Sequence, residues 1–226
     1  MPAAPDPPDP PDLPEVPDLS TPLPRAFYER DALRLARALL GKVLVVRGAE
    51  GVMAARLVEV EAYRGPKDLA AHTAGGRRTP RNEVMWGPAG HLYVYFVYGM
   101  HWCANVVAAA PGRPEAVLLR GAEPLSGIEL MRTRRPAARR DAELLRGPAN
   151  LCRALGIDRA RNGADLVAGT SAGAAGDIVI VDAPPVAARD VARTPRIGVD
   201  YAGEHAALPW RLFVKGSPGV SGPRTE

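Results

Sequence analysis

Cysteine is scarce: Cys103 and Cys152 are the only two, far apart and in no CxxC pair, so a disulfide scaffold and a cysteine-based zinc site are both excluded. Histidine is nearly as sparse. His72, His91, His101 and His205 fall at no metal-ligand spacing, and no bound metal is expected. The low thiol count fits a reducing, cytoplasmic setting. The first residues offer neither a basic stretch nor an apolar one, which does not suit a cleaved secretory signal. Long hydrophobic runs are missing too. Leu92 to Ala110 is free of Asp, Glu, Lys and Arg, but Gly99, His101 and Asn105 interrupt it and its aromatics favour strands, so no membrane span is predicted.

Basic residues are absent from positions 1–24, which hold five acids and ten of the 24 prolines. Such a composition blocks helices and ladders and has little to bury, so 1–24 reads as an acidic Pro-rich tail. One domain is expected over 25–220, with 221–226 as a short C-terminal tail. Without the first tail, 29 basic residues face 20 acids. A basic surface attracts polyanions; nucleic acid, an anionic membrane and plain solubility all remain open on charge alone.

Periodicity predicts an amphipathic helix in RAFYERDALRLARALLG, with Leu33, Ala36, Leu39 and Leu40 on one face and Gly41 ending it. KVLVVR reads as a strand. RLVEVEAY alternates, with Val58, Val60 and Ala62 on one side and Glu59, Glu61 and Tyr63 on the other. A long Gly-, Pro- and Arg-rich loop follows to Gly90, then HLYVYFVYGMHWCANVVAA as two strands turning near Gly99. AVLLRGAEP, DIVIVD and RLFVKG read as strands. GIELMRTRR starts a helix, and DAELLRGPANLCRALGI is a helix broken near Gly147 and Pro148. The predicted class is α+β, a largely antiparallel sheet with flanking helices.

Four constellations are candidates for chemistry, each with a plainer alternative. The hairpin tip gathers Tyr98, Met100, His101 and Trp102, either packed under the loop or projecting as a wedge between base pairs. Arg77, Arg78 and Arg81 in GGRRTPRN suit phosphate oxygens or simple solvation. The same choice applies to Arg132, Arg134, Arg135, Arg139 and Arg140. Glu59 and Glu61 either face solvent or supply a carboxylate base beside an aromatic.

Taken in order, RLVEVEAYRGPKDLAAHTAGGRRTPRN, LYVYFVYGMHWCANVV, VLLRGAEPLSGIELMRTRR, RGPANLCRALGI, PRIGVDYAGEHA and RLFVKGSP resemble the alkyladenine (3-methylpurine) DNA glycosylase family. The resemblance runs from about Leu33 to Ser217. It implies a compact DNA glycosylase with a curved antiparallel sheet, a protruding DNA-inserting β-hairpin and surrounding helices, without metal or organic cofactor, acting on double-stranded DNA that contains damaged purines. The absence of a lysine placed near the Glu61 strand as a Schiff-base nucleophile predicts monofunctional base release, and the absence of a self-complementary apolar face predicts a monomer. The expected location is cytoplasmic and nucleoid-associated, with no membrane. By position it implies Glu61 as the base for water, Arg120 as the residue positioning that water, and the Ile197 carbonyl completing the site. Tyr63, His72, Tyr95 and Asn105 correspond to the base pocket, and Tyr98 to the intercalating plug. Arg77, Arg81, Met100, His101 and Gly198 correspond to DNA-binding positions. The sequence departs from the family at His101 and Gly219, where aromatics are usual, and in a shorter linker between Arg132 and Leu144. A catalytically silent lesion-binding protein and a sugar glycosidase with a carboxylate pair are the competing classes.

Overall fold

From Val52 to Tyr63 no Gly or Pro interrupts a run rich in β-formers, and this segment forms the longest strand, β2 (Gly51–Tyr63). In the computed structural model, which describes residues 18–169 and 177–222, every other part of the sheet is organised around it. One edge of β2 pairs with β5 (Glu115–Ser126). The other pairs first with β1 (Val43–Gly48) and then, over Glu59–Glu61, with β8 (Arg211–Val214). Beyond β5 lie β4 (His101–Ala108) and β3 (Leu92–Val97); beyond β1 lies β6 (Ile178–Val181), and β7 (Val191–Thr194) pairs with β8. All pairings are antiparallel, and register shifts along β2 at Ala54/Ala55, Leu57/Glu59 and Glu59/Val60 accompany the curl of the sheet. The fold is thus the α+β architecture the sequence predicts.

Helices cover one face. Leu35, Ala36 and Leu39 of α2 (Ala32–Leu39), Met131 of α3 (Ile128–Arg134), Leu144 of α4 (Asp141–Leu144) and Leu151, Ala154 and Leu155 of α5 (Pro148–Leu155) share one core with Leu44, Val60, Ala104, Val106, Val117 and Leu119. Burying each of the leucine, valine and methionine side chains among these contributes about 1.5–3 kcal/mol. Helix ends follow local chemistry. The Asp31 carboxylate accepts from the Leu33 and Arg34 amides, a cap that stabilises α2 by about 1 kcal/mol. Pro148 opens α5, and Gly156 closes it at φ +65°, with the Ile157 amide donating to Cys152 O.

Several sequence expectations change. The single helix over 25–41 is two, α1 (Arg25–Tyr28) and α2, because Asp31 starts a new helix; Leu35 is fully buried whereas Leu33 is only half-buried. Residues 18–24, read as tail, lie against β6. Pro22 bridges Val181, the Leu23 amide donates to Ile180 O, and Leu23 is buried. Residues 1–17 fall outside the described residues. Ser221, read as the start of the C-terminal tail, is also buried. The charge-free run from Leu92 to Ala110 forms β3 and β4, and no helix among the described residues is long and apolar enough to cross a membrane.

Candidate active site

The opposite face of the sheet carries a row set by strand register. Tyr93 of β3 pairs with Asn105 of β4, Asn105 with Leu118 of β5, Leu118 with Glu61 of β2, and Glu61 with Arg211 of β8. Directly opposed residues share a face, so five strands deliver one line of side chains away from the helical core. Loops 65–90 and 197–205 cover that face, leaving a cleft of about 340 Å³ lined by Tyr63, His72, Tyr93, Tyr95, Asn105, Arg120, Ile197 and Tyr201 among others. A wider groove of about 930 Å³ beside Phe27, Arg34 and Asp182 holds none of the predicted site residues.

Glu61 lies at the base of this arrangement with no exposed surface. Its Oε1 accepts from the Ile197 amide at 2.8 Å, its Oε2 accepts from the Tyr63 hydroxyl at 3.0 Å, and Arg120 Nη1 stands 3.4 Å from Oε2. Burial pushes its carboxyl above the ordinary value; Arg120, the Ile197 N–H and the Tyr63 hydroxyl pull it back, and Glu59 adds to the rise. Burial works against the Arg120 charge, but the two glutamates more than restore it, so that guanidinium stays ionised. The contact seen for Ile197 is through its amide N–H. A carboxylate so held, directly behind the cleft-lining Tyr63, Arg120 and Ile197, has the chemistry to accept a proton from water.

The aromatic groups of the cleft walls are uncharged. Tyr93 and Tyr95 stack at 5.4 Å, and His72 meets Tyr95 edge-on at 4.6 Å. His72 Nδ1 and the Tyr93 hydroxyl are hydrogen-bonded at 2.9 Å. Although His72 keeps open surface toward the cleft, the protein around it, with Arg81 and Arg77, pushes its pKa down to about 4. Burial pushes the Tyr93 phenol up to about 12 and raises Tyr63 and Tyr95, so all three stay protonated. Behind Tyr63, the Arg196 guanidinium stacks at 4.7 Å from that ring and 4.9 Å from Trp210, held by both oxygens of Asp68 at 2.6 and 2.9 Å. Asn105 Nδ2 donates to Tyr93 O at 3.3 Å.

At the mouth, Tyr98 and Gly99 both take positive φ (52° and 67°), the pattern of a primed hairpin turn between β3 and β4. Tyr98 is 82% exposed and Met100 68%, while His101 is exposed beside them. Arg77 and Gly198 are exposed at the cleft's borders. Arg81 reaches back to the hairpin, donating to Phe96 O at 2.8 Å and lying over Tyr95. Arg78 is spent on Glu83. In the second arginine cluster Arg132 pairs with Glu129 and Asp141, Arg134 with Glu50, and Arg140 with Glu143. That cluster is an ion-paired surface on the helical side of the sheet.

The site also contains groups that the sequence reading did not single out. Tyr93, Tyr201, Cys103 and Leu118 line the cleft, and Arg196 supports it from behind. Burial pushes the Cys103 thiol up, making it a poor nucleophile near neutral pH. The departure at Gly219 has a steric reason: a Cβ there would stand 2.7 Å from Ala122 O and 3.1 Å from Val58 Cγ2.

An aromatic cleft backed by a buried carboxylate and a guanidinium is the kind of site that suits a flat ring. The family described as methylpurine-DNA glycosylase (MPG) matches residues 26–218, and the chain belongs to that family. Proteins named "Putative 3-methyladenine DNA glycosylase" from Methanocella arvoryzae and Burkholderia lata are 49% and 50% identical to it. The first match spans 88% of this chain and 95% of the relative, the second 90% and 93%. A protein of the same name from Streptomyces avermitilis is 46% identical, over 89% of this chain and 91% of its own.

Proposed function

We propose that this protein is a DNA glycosylase, a hydrolase of N-glycosyl bonds in DNA repair, that flips alkylated or deaminated purines into the Tyr63–His72–Tyr95 cleft and releases them with water activated by Glu61. The observation that carries this reading is the burial of Glu61 between Arg120, the Ile197 amide and Tyr63 at the base of an aromatic cleft in a chain of the MPG family. A stacked base cannot be reached within the duplex, so the nucleotide must be extruded. Tyr98, exposed on its turn, then fills the vacated space, and the cleft aromatics replace the lost stacking.

The chemistry follows from charge. An N3- or N7-alkylated purine is cationic, so its glycosidic bond is already weakened, and its ring gains cation–π attraction against neutral tyrosines. His72 stays neutral near neutral pH and adds no positive charge to repel that ring. As the bond opens, positive charge develops on the sugar. Glu61 stabilises it and takes a proton from the attacking water, while Arg120 and the Ile197 carbonyl hold that water. An alkylated purine leaves as a neutral base, whereas hypoxanthine must take up a proton from solvent as it departs. Asn105, beside Tyr93, screens the exocyclic group of the purine. Arg81 and Gly198 line the cleft, Arg77 lines the recess next to it, and Met100 and His101 are exposed beside Tyr98; these residues grip the strand.

The reaction ends at the abasic site. The three lysines are Lys42, which pairs with Asp182, Lys67 and Lys215, and among the described residues none lines the cleft to form a Schiff base. The protein works as a monomer on double-stranded DNA. The test is incubation with a duplex containing one hypoxanthine and, separately, with methylated DNA. Base release with strand breakage only after alkali supports the reading. Tight lesion binding without release favours a silent binding protein, and breakage without alkali contradicts the monofunctional assignment.

A further inference from the structure

Glu59 is as deeply buried as Glu61, yet the reaction gives it no step. Its Oε1 accepts from Arg211 Nε at 2.7 Å and from Arg120 Nε at 3.2 Å, and its Oε2 accepts from the Ser221 amide at 2.7 Å. Arg211 is itself anchored, donating to the Thr194 hydroxyl and to Ser221 O. The surroundings are tight. A Cβ on Gly121 would stand 2.5 Å from Gly219 O and 3.0 Å from Glu59 Oε2, so glycine there is what lets the C-terminal segment reach this carboxylate.

Arg120 is therefore shared unequally. It hydrogen-bonds Glu59 through Nε but reaches Glu61 only by a single 3.4 Å approach from Nη1, short of the paired contacts of about 2.7–2.9 Å that an arginine makes when it clamps a carboxylate. Arg211 stands directly opposite Glu61 in the β2–β8 register but turns to Glu59. With the Glu59 charge gone, both guanidiniums would have Glu61 as their nearest carboxylate. They would cover the oxygen that water must reach.

We propose that Glu59 is a positioning residue: fastened to Arg211 and the Ser221 amide, it holds Arg120 and Arg211 off Glu61, so that beyond the Ile197 amide and the Tyr63 hydroxyl the Glu61 carboxylate keeps a lone pair open to take a proton from water. This rests on the reading of Glu61 as the base. The groups facing Glu61 are Glu59 and Tyr63 on β2, Arg120 on β5, Arg211 on β8, Tyr95 on β3, Cys103 on β4, and the Ile197 amide and Tyr201 from the covering loop. Of these, only the two arginines and Glu59 change their balance when Glu59 is neutralised.

The experiment is single-turnover base release from a hypoxanthine duplex as a function of pH, with lesion-duplex affinity, for wild type, Glu59→Gln and the charge-balanced Glu59→Gln/Arg211→Met. Glu59→Gln should lower the maximal rate by about 10- to 100-fold while leaving affinity within about threefold. The acid limb should move to lower pH, because removing a negative neighbour and drawing arginine closer both favour the ionised base. The double variant should move it in the same direction but less. It also serves as the test if Glu59→Gln does not fold, since it removes one charge of each sign. An acid limb unmoved in a folded variant, or a loss confined to affinity, overturns the proposal. If wild type itself releases no base, the glycosylase reading fails instead.

Discussion

Asp68→Asn is expected to be among the most destabilising single changes near the cleft that leave Glu61 untouched. Asp68 and Arg196 have no exposed side-chain surface and meet through two short hydrogen bonds. Asp68 also accepts from the Arg64 and Ala70 amides, each at 3.0 Å. Removing one member of such a pair leaves an uncompensated buried charge and costs about 3–5 kcal/mol. The flanking rings of Tyr63 and Trp210 retain about 1–2 kcal/mol of cation–π attraction for the orphaned guanidinium, so the lower end, about 3 kcal/mol, is expected. For a chain of this size that lowers Tm by about 6–12 °C. Scanning calorimetry of Asp68→Asn, Arg196→Met and the double variant gives the answer. The double variant should recover at least half of the loss, since no buried charge then lacks a partner. A Tm drop of less than about 2 °C for Asp68→Asn, or a double variant as unstable as the sum of the singles, would refute the reasoning.

Other consequences can be measured independently. Base release should fall on the acid side at a pH above the ordinary glutamate value, because burial raises the Glu61 carboxyl and the base works only when ionised; a rate–pH profile checks this. His72, pushed down to about 4, refuses in the folded state a proton that the unfolded chain accepts near 6.5, so its contribution to stability is lost as pH falls between those values. His72→Asn should flatten that part of a stability–pH curve from urea melts. Tyr98→Gly relieves a positive φ on a non-glycine residue and should leave stability equal or raise it by up to about 1 kcal/mol. The same change should slow base release from duplex DNA by about tenfold or more, and the opposite signs would mark Tyr98 as kept for function.

How much of this was legible in the sequence depends on how local each signal was. The alternation in RLVEVEAY correctly put Glu61 and Tyr63 on one face, since a strand's period of two needs no partner to read. What it missed is that both faces of β2 are covered: an acid in an alternating strand ordinarily faces water, and Glu59 is buried only because Arg211 and Ser221 arrive from the far end of the chain. The same alternation grouped Val58 with Val60. Where β2 slips register around Glu59, Val60 joins the main core and Val58 a separate cluster with Phe213 and Val220. Tyr93 was hidden for a related reason, because only the pairing of β3 with β4 sets it opposite Asn105. Arg196 reads as one more arginine until the fold seats it between two rings. The break between α1 and α2 has a local signal in Asp31, a capping residue, and every member of the predicted apolar face lies after it.

The most direct measurement is single-turnover hypoxanthine release by Glu61→Gln against wild type near neutral pH, alongside the affinity of both for the same duplex. Glutamine keeps the shape and an acceptor for the Ile197 amide but takes no proton from water, so the rate should fall by about 10²- to 10⁴-fold with binding nearly unchanged. A Glu61→Gln protein that releases the base at the wild-type rate would contradict the assignment of Glu61 as the base.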